Sequence, residues 1–227
     1  MEDRISRVVI VGGGSAGWLA AGVIAAEHRI DSQAEQPFEL VLIESPDVPT
    51  IGVGEGTWPS MRTTLQRIGL SETEFIRECD ASFKQGTWFR NWQTGKGDTY
   101  SHPFTVPTDF ADINLAPHWL ALADAPQFAD AVTPQTALFA DCLAPKQITT
   151  PEYAFVVNYA YHLDAGKFAE LLRRHCTEKL GVKHVPANVS QINAAGNGDI
   201  KSVTTDRAGD IAGDLFIDCT GTKSLLL

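Results

Sequence analysis

Three glycines near the start of the chain have the spacing that binds the phosphates of a dinucleotide. Gly12, Gly14 and Gly17 follow the apolar run Val8–Val11 directly and precede an alanine-rich segment. In such a pattern the first glycine makes a tight turn, the second lets main-chain N–H groups approach a pyrophosphate, and the third lets the helix pack close to the strand. The free N–H groups and dipole of that helix favour phosphate. The pattern predicts dinucleotide binding; an ordinary glycine-rich turn is the alternative.

An acidic residue ends the next predicted strand. Residues 38–44 read Phe-Glu-Leu-Val-Leu-Ile-Glu, which is typical of a buried parallel strand that ends at Glu44. An acid at this place accepts hydrogen bonds from ribose hydroxyls. Glu44 lies further from Gly17 than the usual spacing of about 20 residues, and the polar loop 29–37 accounts for the excess. A solvated or helix-capping acid is the alternative.

A second glycine-dense segment covers residues 51–60, Ile-Gly-Val-Gly-Glu-Gly-Thr-Trp-Pro-Ser. So many glycines indicate a backbone that approaches another group closely or takes positive φ. A plain loop and a ribose or flavin contact are both compatible with it. We predict a helix after it, with Thr57 as N-cap and Gly69 as terminator.

Lys84 lies in a segment, 82–92, that alternates like one strand. Lys84, Gly86 and Trp88 share one face, and Phe83 and Phe89 share the other. From spacing alone, a solvated lysine is the simpler interpretation. The shared face with Gly86 and Trp88 is the one hint of a role.

The middle of the chain has weaker patterns. Residues 99–118 are rich in aromatic residues and proline without clear periodicity, so we predict an ordered insertion that covers a pocket. Two short helices, broken near Pro134, are expected over 118–143, and a strand over Tyr153–Tyr161.

The last third returns to regular patterns. Asp164 is predicted to cap an amphipathic helix that runs to Leu180, and Val182–Val185 to join the parallel sheet. Residues 188–217 are expected to form an antiparallel meander, before a buried strand that runs through 215–219. A capping box, Ser71-x-x-Glu74, opens another short helix.

Composition limits the classes of partner. The 227 residues are 44% hydrophobic and 20% charged, and the formal net charge is −10 without any basic run. We therefore expect no nucleic acid and no membrane as partner. The first strand begins too close to Met1 for a signal peptide, so a cytoplasmic protein is expected. The spacing of the cysteines (79, 142, 176, 219) and histidines matches no metal pattern, so we expect reduced, packed cysteines and no metal site.

Five stretches together resemble one family, the flavin-dependent halogenases of the tryptophan-halogenase type. They are Val11–Trp18, Gly52–Pro59, Asp80–Gly86, Tyr161–Phe168 and Phe216–Gly221. The first and last are shared by many FAD-dependent oxygenases and specify FAD only. The second and third are more specific to the halogenases. The resemblance covers essentially the whole chain.

The resemblance implies an α/β, Rossmann-like FAD-binding fold with a central parallel sheet and a small antiparallel meander. The insertion at 93–150, aromatic and helical, would cover the flavin or substrate side. A separate flavin reductase would supply reduced FAD, which with O2 and chloride or bromide gives hypohalous acid. Lys84 would then hydrogen-bond this oxidant, or be halogenated by it, and present the halogen to an electron-rich aromatic such as tryptophan or indole.

The same resemblance assigns cofactor contacts. The residues that would bind the pyrophosphate are Gly12, Gly14, Ser15, Ala16 and Gly17, and Glu44 would bind the ribose. The flavin strap would be lined by Gly54, Glu55 and Thr57, and Val189 would approach the adenine. Asp218 and Gly221 would belong to the second flavin motif. Trp58 is bulkier than the aliphatic residue expected after the strap. The strap or its pocket is therefore expected to differ in shape.

Some of the family's features are missing from these residues. The Gly-Trp-x-Trp-x-Ile-Pro motif, the later acid that removes the substrate proton, the halide-binding segment and most of the substrate-covering helices do not occur. We therefore expect residues 1–227 to be the N-terminal, FAD-binding portion of a longer enzyme. An FAD-dependent aromatic monooxygenase, reduced directly by NAD(P)H, and a non-catalytic FAD-binding fragment are the alternatives. A homodimer is left open.

Overall fold

A computed structural model describes residues 5–28, 38–48 and 54–227. The polar loop 29–37 and the glycine-dense residues 51–53 lie outside the described residues. The chain divides into two compact units. The first comprises Met1–Gly54, Thr64–Asp80 and Asp164–Leu227, and the second comprises Glu55–Thr63 and Ala81–Leu163.

Strands and helices alternate at both ends of the chain, and short elements fill its middle. In chain order the described elements are β1 (Arg7–Val11), α1 (Ser15–His28), β2 (Glu39–Glu44), β3 (Gly54–Gly56), α2 (Ser60–Arg67), α3 (Glu72–Glu78), β4 (Ser82–Lys84), β5 (Gly86–Arg90), β6 (Thr99–Pro103), α4 (Ala116–Leu120), α5 (Phe128–Val132), α6 (Gln135–Ala140), β7 (Ala160–Asp164), α7 (Ala165–Glu178), β8 (Lys183–Pro186), β9 (Val189–Ala194), β10 (Ile200–Thr205), β11 (Gly209–Ala212) and β12 (Leu215–Asp218). None of these helices is long and apolar enough to span a membrane.

The first unit is built on a parallel sheet with the strand order β12-β1-β2-β8. Val9 of the central strand pairs with Phe216 on one side and Val41 on the other. Continuous apolar runs form these strands because β1 and β2 are buried along nearly their whole length. The central parallel sheet of the predicted Rossmann-like fold is confirmed, including the return of β8 beside β2.

Two helices of the first unit pack against each other, α1 and α7. Asp164 caps α7 as predicted, since its side chain accepts a hydrogen bond from the Lys167 N–H at 2.9 Å. Phe168, Leu171 and Cys176 of the predicted apolar stripe are buried. The helix ends at Glu178, two residues before the predicted end.

The other elements of the first unit also follow the sequence signals. Strands β9, β10 and β11 form the predicted antiparallel meander. Ser71 caps α3 by accepting a hydrogen bond from the Glu74 N–H. The cysteines divide: Cys79 and Cys176 are buried, and burial, with nearby carboxylates for Cys79, raises the pKa of each thiol to about 12. Cys142 is exposed, so the prediction of a packed residue is wrong there.

The second unit departs from the sequence-based expectations in three places. The predicted single strand over 82–92 is two strands: β4 pairs with β7, and β5 pairs with β6. The break falls at Gln85, whose carbonyl accepts a hydrogen bond from the Phe104 N–H while its side chain reaches the Leu143 carbonyl. Strand β6 was not predicted, and three short helices replace the expected two.

The predicted strand over Tyr153–Tyr161 is largely wrong. Strand β7 begins only at Ala160, and Tyr153 has a positive φ of 62°. The buried guanidinium of Arg62 donates hydrogen bonds to the carbonyls of Tyr153 and Tyr159 at 3.0 and 2.9 Å. These carbonyls accept hydrogen bonds from a side chain instead of from a neighbouring strand. The local sequence around Tyr153 does not indicate this role of Arg62.

Candidate active site

The glycine fingerprint forms a tight turn at the carboxyl end of β1. Gly12 has a φ of +116°, and its N–H donates to the Ile43 carbonyl at 2.9 Å. A methyl group at Gly12 would lie 2.5 Å from the carbonyl carbon of Cys219, and one at Gly17 would overlap the Gly12 carbonyl oxygen. The fold itself therefore requires glycine at positions 12 and 17.

Gly14 differs from the other two glycines. A methyl group there would have no described heavy atom within 4 Å. Helix α1 begins at Ser15, and its first internal hydrogen bond runs from the Trp18 N–H to the Gly14 carbonyl at 3.1 Å. The preceding N–H groups of Ser15, Ala16 and Gly17 have no partner within the helix. The open space and the free donors fit the pyrophosphate of a dinucleotide.

Glu44 lies beside this turn, at the carboxyl end of β2. Its side chain covers Gly13, because a methyl group at Gly13 would overlap the carboxylate. One carboxylate oxygen lies 2.7 Å from Nε2 of His184, although the ring is not aligned for a hydrogen bond to it. His184 is on β8, paired with Leu42, and no local sequence pattern indicates this contact. Glu44 is thus placed where a ribose contact was predicted, and that contact remains a prediction.

Asp218 ends β12 next to Val11 of β1. One of its carboxylate oxygens accepts from the N–H and hydroxyl of Thr220 at 2.8 and 2.6 Å, and the other from the Leu226 N–H at 2.8 Å. Burial opposes ionisation, but these hydrogen bonds outweigh it and hold the pKa of Asp218 below its usual value. Asp218 therefore fixes the turn that contains Gly221, whose φ is +65°.

Predicted cofactor positions therefore meet at one edge of the parallel sheet, since Gly12 follows β1, Glu44 and Asp218 end the adjacent strands β2 and β12, and Gly221 lies in the turn after Asp218. Val189 opens β9 and packs half-buried against the core. Ligands of open parallel sheets bind at this carboxyl edge. Among the described residues no group of three metal-ligating side chains occurs.

The predicted flavin strap is described from Gly54 onward. Gly54 and Glu55 are exposed in β3. Thr57 is buried: its N–H donates to the Tyr161 carbonyl at 2.8 Å, and its hydroxyl oxygen accepts from the Tyr161 N–H at 3.0 Å. The prediction of Thr57 as N-cap is wrong, because α2 begins at Ser60 and the Thr57 hydroxyl already serves the neighbouring strand.

Lys84 occupies an unusual place for a surface lysine. Its ammonium lies 5.6 Å from the ring centre of Trp58 and 5.5 Å from that of Phe104, within cation–π distance of both. Among the described residues no carboxylate pairs with it. A methyl group at Gly56 would lie 3.1 Å from Nζ and 3.3 Å from Nδ1 of His162. The second unit thus holds an unpaired cation between aromatic rings and beside a histidine.

The two rings next to Lys84 also line a cavity of about 580 Å³ within the second unit. Apolar and aromatic side chains dominate its wall, among them Trp58, Tyr100, Phe104, Val106, Phe110, Phe128 and Val132. The hydroxyl of Ser101, also in the wall, is buried with no hydrogen-bond partner among the described residues. Such a cavity can bind a flat apolar ring while a few polar groups orient it.

Sequence reasoning did not identify the neighbours of Lys84. Gly56 appeared only as a member of a glycine-dense segment, and Trp58 as a residue bulkier than expected after the strap. Phe104 appeared as part of an aperiodic insertion, and His162 as part of one of the stretches that carry the family resemblance. Strand pairing and the packing of distant residues bring them together. The one signal in the sequence was the density of glycine before Trp58, which indicates close approach to another group.

Comparison with known proteins identifies relatives over the whole chain. A family model described as tryptophan halogenase matches residues 7–227. Tryptophan 7-halogenase RebH of Lentzea aerocolonigenes is 34% identical over 100% of this chain and 44% of its own length, and tryptophan 6-halogenase ThaL of Streptomyces albogriseolus is 33% identical with the same coverage. The crystal structure of a tryptophan halogenase from Shewanella frigidimarina matches with 53% identity and a TM-score of 0.93, over 100% of this chain and 44% of that one. The chain spans less than half the length of these relatives.

Proposed function

This chain belongs to the tryptophan halogenase family, and on that premise we propose that it is the FAD-binding portion of a flavin-dependent halogenase in which Lys84 handles the oxidised halogen. A separate flavin reductase supplies reduced FAD, the co-substrate is chloride or bromide, and the acceptor is an electron-rich aromatic such as tryptophan or indole. RebH and ThaL are named as halogenases of tryptophan, which supports this class of substrate.

The carboxyl edge of the parallel sheet fits FAD. Gly14 leaves room for the pyrophosphate, and the N–H groups of Ser15, Ala16 and Gly17 donate hydrogen bonds to it. Glu44 accepts hydrogen bonds from the ribose hydroxyls. When bound, reduced FAD supplies the electrons with which O2 and halide are converted to hypohalous acid and water.

The flavin strap and the second flavin motif extend this set. Gly54, Glu55 and Thr57 would contact the flavin, and Val189 the adenine. The turn from Asp218 to Gly221 presents main-chain groups beside the flavin, and the hydrogen bonds of Asp218 keep that turn rigid.

The observation that carries the proposal is the environment of Lys84. An ammonium without a described carboxylate partner can donate hydrogen bonds to hypohalous acid, whereas a paired ammonium would have its donors occupied. Trp58 and Phe104 contact it by cation–π interactions. The same rings line the aromatic cavity, so an oxidant held by Lys84 would meet the ring of a substrate bound there.

The experiment supplies the protein that contains this chain with FAD, a flavin reductase, NADH, O2, bromide and tryptophan or indole, and identifies the product by mass spectrometry. A brominated product is expected, and it should disappear when the reductase is omitted. A hydroxylated product, together with bleaching of bound FAD by NADPH alone, would identify an aromatic monooxygenase instead. FAD binding with no product from any aromatic tested would leave only a flavin-binding module.

A further inference from the structure

Glu44, the proposed ribose acceptor, lies between two residues of the first unit that have no assigned role, Gly13 and His184. A methyl group at Gly13 would lie 2.4 Å from Oε1 of Glu44 and 2.2 Å from its carboxyl carbon. The other carboxylate oxygen, Oε2, lies 2.7 Å from Nε2 of His184. The carboxylate is therefore bounded by the main chain of Gly13 on one side and by an imidazole on the other.

Strand register places His184 and Glu44 on the same face of the parallel sheet. His184 of β8 pairs with Leu42 of β2, and Glu44 follows Leu42 by two residues, so its side chain leaves β2 on the same side. The His184 ring also meets the Trp18 ring of α1 edge-on, with 5.2 Å between the ring centroids. Packing against α1 thus holds the imidazole close to the carboxyl end of β2.

The imidazole presents a proton to Glu44. Nε2 of His184 is buried and has no aligned hydrogen-bond partner among the described residues. A nitrogen lone pair 2.7 Å from a carboxylate oxygen would repel it, whereas an N–H group attracts it, so Nε2 carries the ring proton. Because the last torsion of a glutamate side chain is broad, a rotation of the carboxylate brings the two groups into line.

A second cation of the first unit could compete for Glu44. Arg173 of α7 is close enough to interact with Glu44 electrostatically. Its guanidinium, however, donates hydrogen bonds to the carboxylate of Glu170, one turn earlier on the same helix. Arg173 is therefore engaged within α7, and His184 is the cationic or N–H-bearing side chain in direct contact with Glu44.

We propose that Gly13 and His184 are positioning residues for FAD, which together hold the Glu44 carboxylate where it accepts hydrogen bonds from the adenosine ribose. A carboxylate that is already held in place loses less side-chain freedom when the ribose binds, so the affinity rises without a further contact to FAD. This inference rests on the proposed function. It goes beyond that function by assigning roles to a residue between the fingerprint glycines and to a residue of β8.

Gly13→Ala tests one side of this arrangement without disturbing the fold. The three heavy atoms nearest to the added methyl group all belong to the Glu44 side chain, whose far end can move. The φ of Gly13 lies outside the left-handed region, so the backbone accepts alanine. We expect the displaced carboxylate to raise the Kd for FAD about fivefold, with an unchanged unfolding midpoint in urea.

His184→Leu tests the other side. It removes the N–H group, keeps an apolar contact with Trp18, and should raise the Kd for FAD about fivefold, which corresponds to one hydrogen bond. His184→Gln retains an N–H group on a side chain of similar reach and should bind FAD nearly as tightly as the wild-type protein. His28 ends α1 and packs against the ring of Phe38 before the other end of β2, so His28→Leu is the matched control and should change nothing.

The experiment titrates FAD fluorescence in the protein that contains this chain, for each variant alone and in a Glu44→Ala background, with urea unfolding in parallel. Glu44→Ala should itself weaken FAD about tenfold. In that background Gly13→Ala and His184→Leu should have no further effect, because a residue that acts only through Glu44 loses its effect when the carboxylate is absent.

Two results would overturn the proposal while leaving the ribose contact intact. One is wild-type FAD affinity in Gly13→Ala or His184→Leu although Glu44→Ala weakens FAD. The other is a loss of affinity in either variant that persists in the Glu44→Ala background, since that would indicate a structural effect or direct contact with FAD. If Glu44→Ala binds FAD as tightly as the wild-type protein, the ribose contact of the proposed function is refuted, and the roles of Gly13 and His184 with it.

Discussion

Glycine serves two different purposes in the fingerprint. At positions 12 and 17 the neighbouring main chain leaves no space for a side chain, so these residues are required by the fold. At position 14 the space is open, so the fold leaves room there for the pyrophosphate of the proposed cofactor. Substitution can therefore separate folding from cofactor binding within a single motif.

We expect Gly17→Ala to lower the free energy of unfolding by about 1–3 kcal/mol, the usual cost of overpacking. Gly14→Ala should leave the unfolding midpoint in urea unchanged but weaken FAD about tenfold, or about 1.4 kcal/mol. Chemical denaturation and titration of FAD fluorescence measure the two effects. If Gly14→Ala bound FAD as tightly as the wild-type protein, the pyrophosphate could not lie against Gly14.

At the scale of elements, β3 pairs with β7, and Thr57 continues this attachment beyond the end of β3. Thr57 makes a main-chain and a side-chain hydrogen bond to Tyr161. This pairing is relevant to function because Trp58, the next residue, contacts Lys84. Hydrogen bonds between residues far apart in sequence thus anchor the main chain directly before an aromatic residue of the proposed site.

Thr57→Val keeps the shape of the side chain but removes the acceptor of the Tyr161 N–H. Leaving a buried N–H without its partner costs about 1–3 kcal/mol, so the free energy of unfolding should fall by that amount in urea titrations. Thr57→Ser retains the hydroxyl and serves as the control. A valine variant as stable as the serine variant would show that the hydroxyl contributes nothing to this attachment.

Elements with local signals were predicted well from the sequence. Helix α1, strands β1, β2 and β8, the cap of α7 and the meander all follow from periodicity, capping residues and turns. Strand β6 and the irregular course of residues 153–159 could not be predicted from such local signals, because they depend on partners distant in sequence. Arg62 binds the carbonyls of Tyr153 and Tyr159, and β6 forms only by pairing with β5.

The candidate site likewise contains some residues that local sequence patterns predict and others that only tertiary packing brings together. The glycine fingerprint and Glu44 were predictable because the strand–turn–helix pattern places them at one sheet edge. Lys84 was indicated only by family resemblance, since its spacing is that of a solvated lysine. Phe104 and His162 come to Lys84 through packing and strand register, and no local pattern encodes either contact.

For the whole molecule, the proposed FAD site predicts which flavin stabilises the protein. The groups at the sheet edge suit a pyrophosphate and the ribose of an adenosine. FAD contains both of these, whereas FMN has a single phosphate and no adenosine. FAD at about 100 times its Kd should stabilise the folded state by about 2.7 kcal/mol, whereas FMN at the same concentration should have little effect. Thermal unfolding with each flavin measures the difference. Equal stabilisation by the two would place binding outside the glycine fingerprint.

The central claim is that Lys84 delivers the oxidised halogen to the aromatic substrate. The most direct measurement is the yield of brominated tryptophan or indole from the reconstituted protein that contains this chain, with FAD affinity determined in parallel. Lys84→Ala should lower the yield about 100-fold or more with unchanged FAD affinity, and the exposed-turn control Lys96→Ala should match the wild-type protein. Undiminished halogenation by Lys84→Ala would contradict the account.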